Sequence, residues 1–441
     1  MEAIAETQSD YRKDYDALAA TGADWLAGLR RRGMEAFEAQ GFPTRRAEAW
    51  RKTDLSSITA GHFPPMDAPG TVKPELVERL GALGEGHRLV FVDGHLDGAL
   101  SDLGQLPAGV TVGVLSEYGA KAPERLREVL GARVDIEGHP FAALNTALFR
   151  DGVFVHAARG AVLERPLIVV HITTGDADGH AVYPRVAVAA EETAELRVVE
   201  HFIGDDSANA LVVPVTEVSA AQGAVVDYYR LQEEGEGTAH VAVAQLNLAR
   251  DANLSAQCLS AGARLTRTDV YADLDGQGAE ATLNGLYLTR GRQFADFHTW
   301  VNHRAEHGTS RQLFKGVLQG RSETVFDGLV KVFEGAQKTD AQQQNRNLVL
   351  DKLALAHSNP RLEIYNDDVK CAHGSTVGEL DDDALFYLRS RGIGPQDAQG
   401  MLTFAFASET LRGIRLQGVH DHVRRLLFRR LPGDDTVREV V

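Results

Sequence analysis

Cys371 and His373 are the residues whose types and spacing most directly predict chemistry in this sequence. They are separated by one residue, so on an extended strand, where side chains alternate between faces, both would point to the same side. A thiolate and an imidazole on one side can contact the same ion, and this pair suits zinc, iron or an iron–sulfur cluster better than magnesium or calcium. A closed tetrahedral site needs four ligands. The sequence therefore predicts half of a metal site, with two ligands still to be supplied.

Three further histidines, His298, His303 and His307, also invite a metal-site interpretation. Their spacing fits neither one face of a strand nor the His-Glu-x-x-His pattern of a helical zinc site. We interpret them as part of a polar, hydrogen-bonded strand face. In the glutamine- and asparagine-rich residues 337–347 we likewise expect side-chain amides that pair with one another at a corner of a stacked fold.

The elements that must position these residues show an internal repeat. Ala194, Ala224, Ala252 and Ala279 each open a stretch of alternating β character, and they follow one another at intervals of 30, 28 and 27 residues. Repeats of this length are typical of stacked architectures, and one small residue per coil fits the corner of a parallel β-helix. A jelly roll or another β-sandwich is the competing architecture.

The texture of the sequence divides the chain into three regions. Residues 1–150 are predicted as a mixed, mainly helical N-terminal domain, and residues 151–375 as the parallel β-helix core. Residues 376–441 are predicted as a helical C-terminal partner-binding domain, in which Asp381 or its neighbour can cap the first helix and Pro395 can open the second. These helices could either cover the open end of the solenoid, whose edge would otherwise template further strands, or dock a partner.

Composition limits the classes of function. With 441 residues, 44% of them hydrophobic, the chain can bury a large core, and its net charge of −16 argues against a general binder of nucleic acid or of an anionic membrane. Two cysteines cannot form a disulfide framework, and the sequence has neither an apolar signal core nor an apolar run of about eighteen residues. We therefore expect a soluble cytoplasmic protein.

Motifs that are missing from the sequence also inform the expected function. The sequence contains no Gly-x-x-x-x-Gly-Lys phosphate loop, no Gly-x-Ser-x-Gly nucleophile elbow and no Gly-x-Gly-x-x-Gly dinucleotide turn. We therefore expect that the chain is not an enzyme, and any use of ATP would belong to another chain.

Four segments carry a specific resemblance to a known family. They read TSRQLFKGVL at residues 309–318, AQKTD at residues 336–340, LEIYNDDVKCAHGSTV at residues 362–377 and LFYLRSRGI at residues 385–393. In these segments the sequence closely resembles the SufB/SufD family, the scaffold subunits of the SUF iron–sulfur cluster assembly machinery. The Val-Lys-Cys-x-His-Gly form resembles the SufD branch of that family, and a weaker likeness extends over most of the remaining chain.

The resemblance implies a right-handed parallel β-helix between helical N-terminal and C-terminal regions. It also implies partners, because SufD-like chains pair with a SufB-like subunit through their β-helices and dock a SufC-like ATPase through their C-terminal helices. When these partners are absent, a homodimer of the chain is a further state to expect. The residues predicted to contact the ATPase are Leu385, Phe386, Tyr387, Arg389 and Arg391.

The resemblance further assigns a role to the Cys-x-His pair. By motif position, His373 takes the place of the family histidine at the interface with the SufB-like subunit, and Cys371 is the neighbouring thiol. The implied cofactor is iron or a transient iron–sulfur cluster, with the remaining ligands supplied by the partner. Some complexes of the family contain reduced flavin, but this sequence shows no flavin signature.

The alternative from a different class is a β-helix enzyme that acts on polysaccharide, because that fold also supports lyases and hydrolases. Asp367 and Asp368 are the nearest paired carboxylates. Adjacent residues on a strand face opposite sides, which suits a cooperating acid and base poorly.

Overall fold

The structure, a computed structural model, describes residues 2–19, 24–121 and 123–431. Residues 432–441, which belong to the predicted C-terminal domain, lie outside the described residues. None of the helices in the described ranges is both long and apolar enough to cross a bilayer.

The N-terminal part of the chain is mainly helical but also contains three strands. Its elements are α1 (Glu2–Ala19), α2 (Asp24–Gln40), the 3-10 helix η1 (Glu48–Trp50), α3 (Ser56–Thr59), α4 (Pro74–Glu78), η2 (Arg79–Gly81), β1 (His87–Val92), β2 (His95–Leu96), β3 (Val110–Val114), α5 (Leu115–Lys121), α6 (Pro123–Arg127) and α7 (Pro140–Leu148).

The middle of the chain consists almost entirely of strands. They are β4 (Val153–Ala157), β5 (Leu167–Thr173), then the 3-10 helix η3 (Gly175–Ala177), β6 (Ala181–Val182), β7 (Arg185–Ala190), β8 (Glu195–Gly204), β9 (Leu211–Val212), β10 (Val215–Ala220), β11 (Val225–Glu233), β12 (Ala239–Leu248), β13 (Asn253–Ser260), β14 (Leu265–Leu274), β15 (Glu280–Thr289), β16 (Phe294–His303), β17 (Thr309–Leu318), β18 (Glu323–Val332), β19 (Asp340–Val349), β20 (Leu355–Ile364) and β21 (Lys370–Gly378). The C-terminal elements are α8 (Asp382–Ser390), α9 (Pro395–Ser408), η4 (Glu409–Gly413) and α10 (Gln417–Arg430).

The strands form two sheets that stack as a solenoid. One sheet has ten strands in the order β2-β1-β5-β8-β11-β13-β15-β17-β19-β21, and the other runs β20-β18-β16-β14-β12-β10-β7-β4-β3 with β6 and β9 beside it. From β5 and β7 onward the chain alternates between the sheets, and each strand pairs in parallel with the strand one coil earlier. The predicted fold class, a parallel β-helix flanked by helical regions, is confirmed, and the competing sandwich is wrong.

The alanine repeat marks one corner of this solenoid. Ala194, Ala224, Ala252 and Ala279 are all buried, and each immediately precedes a strand of the ten-stranded sheet. Their backbones stack, since the N–H of the following residue donates to the alanine one coil earlier, as Val225 does to Ala194 over 2.8 Å. A small side chain suits these four positions because it is completely enclosed where successive coils meet.

The two sheets enclose an apolar lumen, while their outer faces are covered by different parts of the chain. Along each strand, alternate side chains enter the lumen, as Val226, Leu254 and Leu283 do. Against the outer face of the sheet containing β7, β12 and β14 pack aromatic residues of the N-terminal region, including Phe37 and Phe141. Strands β1, β2 and β3 extend the two sheets, so the sheets begin well before residue 151.

The C-terminal helices run back along the outer face of the ten-stranded sheet. Lys315 of β17 donates to the carbonyl of Phe406 in α9 over 2.8 Å, and the backbone N–H of Arg415 donates to the Tyr229 hydroxyl of β11 over 3.1 Å. Further along, Arg425 of α10 donates to the carbonyl of Ala82, just before β1. Helices α9 and α10 therefore cover the side of the solenoid, and the alternative in which they cover its open end is wrong.

Candidate functional site

The solenoid ends in two edge strands, β20 in one sheet and β21 in the other. Strand β21 pairs with β19 along one side, and its side chains are exposed except for the partly buried Cys371. An edge strand carries a row of backbone donors and acceptors along its free side. This end of the molecule is therefore open both to side-chain ligands and to additional strands.

Cys371 and His373 lie on the lumen side of β21. In the register of the sheet, Cys371 is opposite Ala341 and His373 is opposite Gln343, and Ala341 belongs to the apolar core of the lumen. The Cys371 side chain packs against that core, whereas the imidazole of His373 is exposed. The pair thus sits at the mouth of the lumen, where both side chains leave room for ligands from outside the chain.

A column of polar side chains continues from His373 into the lumen. The sheet register places His373 over Gln343 and Gln343 over Gln312, whereas the next positions inward are Leu283 and Ala256. Gln343 is only 1% exposed, and neither atom of its amide has a hydrogen-bond partner among the described residues. Leaving a buried amide unpaired costs free energy, so such a group calls for a functional explanation.

Gln343 is a residue that the sequence interpretation missed. The sequence predicts that the amides of residues 337–347 pair with one another at a corner, but all of them except Gln337 lie on strand β19. Asn345 and Asn347 do pair, since the Asn347 amide donates to Asn345 Oδ1 over 2.8 Å and both contact the Tyr287 hydroxyl. The signal that could have separated Gln343 from its exposed neighbours is the period-two alternation along β19.

A groove of about 260 Å³ lies between β19 and β21. It is lined by residues 342–346 of β19 and residues 372–376 of β21, so it includes both Gln343 and His373. The groove therefore brings the His373 imidazole close to the buried amide of Gln343, and Cys371 precedes the groove-lining residues of β21. Such a set of nitrogen, oxygen and sulfur atoms can contact a transition-metal ion or a small cluster.

Electrostatics keep the thiol of Cys371 protonated in the isolated chain. Burial raises the pKa of this thiol, a hydrogen bond with the Ala341 backbone partly opposes that effect, and the nearby Asp340 carboxylate adds a smaller increase. A thiol with a raised pKa is a poor ligand until a cation displaces its proton. Cys371 would therefore bind a metal ion only with loss of its thiol proton.

The three histidines near residue 300 do not converge. His298 lies on the outer face of β16 with its Nε2 atom 2.9 Å from Asp296 Oδ1, while His303 faces the lumen and its Nε2 atom lies 2.9 Å from Ser310 Oγ. Burial lowers the pKa of His303 to about 4. His307 is in a turn with a φ of 60°. The expectation of one shared polar strand face is therefore wrong, although His298 and His303 each lie within hydrogen-bond distance of a polar side chain.

The acidic pair of the alternative enzyme hypothesis lies in a turn, and one of its two carboxylates is ion-paired. Asp368 lies in the turn before β21, where its Oδ2 atom is 2.5 Å from Lys338 Nζ. Asp367 is exposed in the same turn. An ion-paired carboxylate beside an exposed one does not give the pair of opposed carboxyl groups that glycoside hydrolysis requires.

Helix α8 presents a second exposed surface close to the open end. Asp381 caps it, because its Oδ1 atom accepts the N–H of Ala384 over 2.9 Å, and no residue of α8 is buried. Phe386 is 73% exposed and Tyr387 is 54% exposed, and the Arg391 guanidinium lies over the Tyr387 ring at 4.5 Å. Exposed aromatic surface of this kind is typical of an interaction site.

The five residues predicted to contact an ATPase differ in exposure. Phe386, Tyr387, Arg389 and Arg391 are exposed, while Leu385 is partly buried. Helix α8 packs against α9, which fixes its position relative to the solenoid. The surface available to a partner is therefore formed by the two aromatic and two arginine side chains.

Fold and site together define a β-solenoid protein with one open end, at which Cys371 and His373 lie. Comparison with known proteins agrees with that class. The sequence matches the family described as "SUF system FeS cluster assembly, SufBD core domain" over residues 171–406, and the "SufBD protein N-terminal region" over residues 1–169. The chain therefore belongs to the SufBD family of iron–sulfur cluster assembly proteins.

Individual relatives cover nearly the whole chain. The iron–sulfur cluster assembly protein SufD of Escherichia coli is 33% identical over 395 residues, which span 89% of this chain and 90% of that protein. An iron–sulfur cluster assembly SufBD family protein of Synechocystis is 30% identical and covers 94% of this chain and 93% of its own length. The SufD protein of Bacillus subtilis is 26% identical over 68% of each chain.

Proposed function

We propose that this chain is a non-ATPase scaffold subunit of a SUF complex, on which iron and a nascent iron–sulfur cluster are held at the interface with a SufB-like subunit. The observation that carries the proposal is the position of Cys371 and His373. They lie on the same face of β21, separated by one residue, at the mouth of the lumen. Two ligands cannot close a tetrahedral site. The remaining ligands come from the partner, so that the cluster forms only in the assembled complex.

Pairing with the SufB-like subunit is assigned to the open end. The free edges of β20 and β21 offer backbone donors and acceptors to which a second solenoid can add its own edge strands. The exposed apolar side chains at this end support the same assignment, since Leu355, Ile364 and Val377 are all exposed in the single chain. A homodimer formed through the same edges is the competing state when the partner is absent.

Docking of a SufC-like ATPase is assigned to α8. Phe386 and Tyr387 supply the apolar contact, and Arg389 and Arg391 supply charges around it. Aromatic and arginine side chains are the types that most often dominate binding energy at protein interfaces. ATP hydrolysis in the docked subunit then moves α8 and the packed α9, and this movement rearranges the paired solenoids so that the interface admits iron and sulfide.

At the interface this chain contributes two side-chain ligands to the iron or the cluster. His373 binds iron through a neutral imidazole nitrogen, and Cys371 binds through sulfur after its S–H proton passes to solvent. Gln343, whose amide is unpaired, lies one strand below His373 and orients the imidazole or an iron-bound water by a hydrogen bond. A scaffold of this kind binds its cargo without a catalytic residue of its own.

The proposal is tested by His373→Ala in the reconstituted complex. We expect the iron and sulfide content to fall by about tenfold or more, because one ligand is lost from an already incomplete set, while gel filtration shows an intact complex. His357→Ala is the matched control, since His357 lies at the same end on β20 but is paired with Glu323 at 2.9 Å. Unchanged iron and sulfide in the His373 variant would refute the assignment.

The docking assignment is tested separately with Phe386→Asp. We expect the affinity for the SufC-like ATPase to fall by about tenfold or more, which corresponds to about 1.4 kcal/mol, as measured by titration calorimetry. Leu96→Asp serves as the control, because Leu96 is also an exposed apolar residue but lies in β2 at the opposite end of the sheet. Equal losses in the two variants would place the ATPase contact elsewhere.

A further inference from the structure

A second group of ligand-type side chains lies far along the chain from the open-end pair. His201 of β8, Glu233 of β11 and His422 of α10 are all buried, and their ligand atoms lie within 4.8 Å of one another. The Nε2 atom of His201 is 3.0 Å from Glu233 Oε1, and the Nε2 atom of His422 contacts the same oxygen. Two imidazole nitrogens thus converge on one carboxylate oxygen.

The fold builds this group from three separate parts of the chain. His201 of β8 is opposite Leu231 of β11, and Glu233 lies two residues further along β11, opposite Ile203. Leu231 and Ile203 belong to the apolar cluster on the outer face, so His201 and Glu233 also face outward. Helix α10 brings His422 down onto them with Val419 and Val423 packed on the sheet beside it. The convergence therefore depends on the helix lying on the side of the solenoid.

A fourth residue fixes the carboxylate in place. Arg79 of η2 donates through Nη2 to Glu233 Oε2 over 3.2 Å, which leaves Oε1 directed at the two imidazoles. The imidazole rings are 5.3 Å apart and inclined at 71°, so their Nε2 atoms approach the oxygen from different directions. A second residue that orients a ligand carboxylate is a regular feature of metal sites.

We propose that His201, Glu233 and His422 bind one divalent transition-metal ion of the zinc type, which fastens α10 to the solenoid. Two imidazoles and one carboxylate form a ligand set that binds zinc or ferrous iron, and they are not the all-oxygen set that magnesium or calcium requires. When the ion binds at the two Nε2 atoms, the proton that each Nε2 donates to Glu233 moves to Nδ1 of the same ring or passes to solvent, and water completes the coordination. Because ligands come from a sheet and a helix, binding of the ion stabilises their contact.

The experiment uses the full chain with Cys371→Ser and His373→Ala, so that the open-end pair contributes no ligand. Titration with Co²⁺, a spectroscopic substitute for zinc, should give one equivalent of tight binding with visible d–d absorption and without a thiolate charge-transfer band. In this background His201→Ala or His422→Ala should weaken Co²⁺ binding about 100-fold or more. His420→Ala is the control, since His420 lies on the same helix and is only partly buried beside Asp421.

Two results would overturn the proposal. The first is that the background protein binds Co²⁺ no more tightly than its His201 and His422 variants. The second is that no d–d absorption appears at one equivalent of Co²⁺. Either result would mean that the three side chains are only hydrogen-bonded to one another. If the alanine variants fail to fold, two measurements on the background protein decide whether the site binds metal. These are the Co²⁺ absorption spectrum and the melting temperature, which Zn²⁺ should raise. Loss of cluster content on mutating His373 is independent of either outcome, because the two sites share no residue.

Discussion

At the scale of single residues, the two cysteines of the chain should differ sharply in reactivity. Burial raises the pKa of Cys371, and it raises the pKa of Cys258 to about 11. Cys371 is partly exposed at the lumen mouth, whereas Cys258 is buried inside the lumen. The thiolate is the reactive form, so exposure and pKa together decide which thiol can be modified.

Alkylation by iodoacetamide tests this difference in the Cys258→Ser variant and in the unmodified chain. We expect Cys371 to react with a pH midpoint above the ordinary value of about 8.5, since its pKa is raised, and Cys258 to remain unmodified while the protein is folded. Peptide mass spectrometry after timed quenching gives both rates. A midpoint for Cys371 below the ordinary value would show that a cation or a hydrogen bond stabilises its thiolate.

His303 provides a residue-scale prediction about acid stability. Its pKa is lowered to about 4 by burial, so between pH 6.5 and pH 4 the unfolded chain binds a proton that the folded chain does not. Stability therefore falls as the pH is lowered through this window, by as much as about 3 kcal/mol from this group. Urea denaturation of His303→Gln should show a shallower decline than the unmodified protein over the same range. Parallel declines would contradict a neutral, buried His303.

Only part of the site could be predicted from local sequence. The period-two rule places Cys371 and His373 on one side of a strand because it depends on neighbouring residues alone. The position of the Gln343 amide depends on Gly328, because a side chain at residue 328 would occupy the space that this amide fills. His201, Glu233 and His422 lie far apart in the sequence and are joined only by packing, so no spacing motif could indicate them.

At the scale of elements, α8 depends on its cap rather than on a core. It has no buried residue, and the hydrogen bond from the Ala384 N–H to Asp381 satisfies one of the donors left free at its start. The sequence correctly predicted this cap and the start of α9 at Pro395, because capping is a local property. It could not predict that α9 and α10 lie on the side of the solenoid, which depends on apolar residues from many strands.

Removing the cap should loosen α8 without unfolding the protein. In Asp381→Ala we expect amide hydrogen exchange across α8 to accelerate about fivefold, which corresponds to the roughly 1 kcal/mol of a typical N-cap. The melting temperature should stay unchanged, since α8 buries no residue. Asp381→Asn is the matched control, because asparagine also caps a helix. Slow exchange in the alanine variant would show that contacts with α9 hold the helix instead.

At the scale of the whole molecule, stability should decrease toward the open end. Each coil of a solenoid contacts mainly its neighbours, so a terminal coil has one interface where an internal coil has two. Strand β21 is exposed and β20 is only partly buried, whereas every residue of β12 is buried. The open end is therefore the part of the sheets that should separate first, which suits a surface that must receive a partner.

Hydrogen exchange measured by mass spectrometry tests this gradient. Peptides from β20 and β21 should exchange about 100-fold faster than peptides from β12 and β13 in the single chain, a ratio that corresponds to somewhat under 3 kcal/mol of local stability. Addition of the SufB-like subunit should slow the exchange of β20 and β21 selectively. Uniform exchange along the sheets would indicate that the solenoid opens as one cooperative unit.

The fold class itself could be predicted from the sequence because a solenoid repeats its local pattern. Four alanines, one per coil, favour a parallel β-helix over a sandwich, and all four are buried in the structure. In the last coils, Gly308 and Thr339 replace alanine at the corner positions. The backbone hydrogen bonds between coils continue there, because the N–H groups of Asp340 and Lys370 donate to the carbonyls of Gly308 and Thr339. The repeat therefore fades in the sequence at the end where the site lies, although the backbone continues it.

The return of α9 and α10 along the sheet has a consequence for biosynthesis. The outer face of β5, β8, β11 and β13 carries Ile168, Val199, Leu231 and Leu259, and these side chains are covered by residues that leave the ribosome more than a hundred residues later. At ordinary elongation rates that delay is on the order of ten seconds. A nascent chain whose first coils are already stacked therefore exposes the part of this apolar stripe that α9 and α10 cover until translation is nearly complete, and we expect chaperones to bind there during that interval.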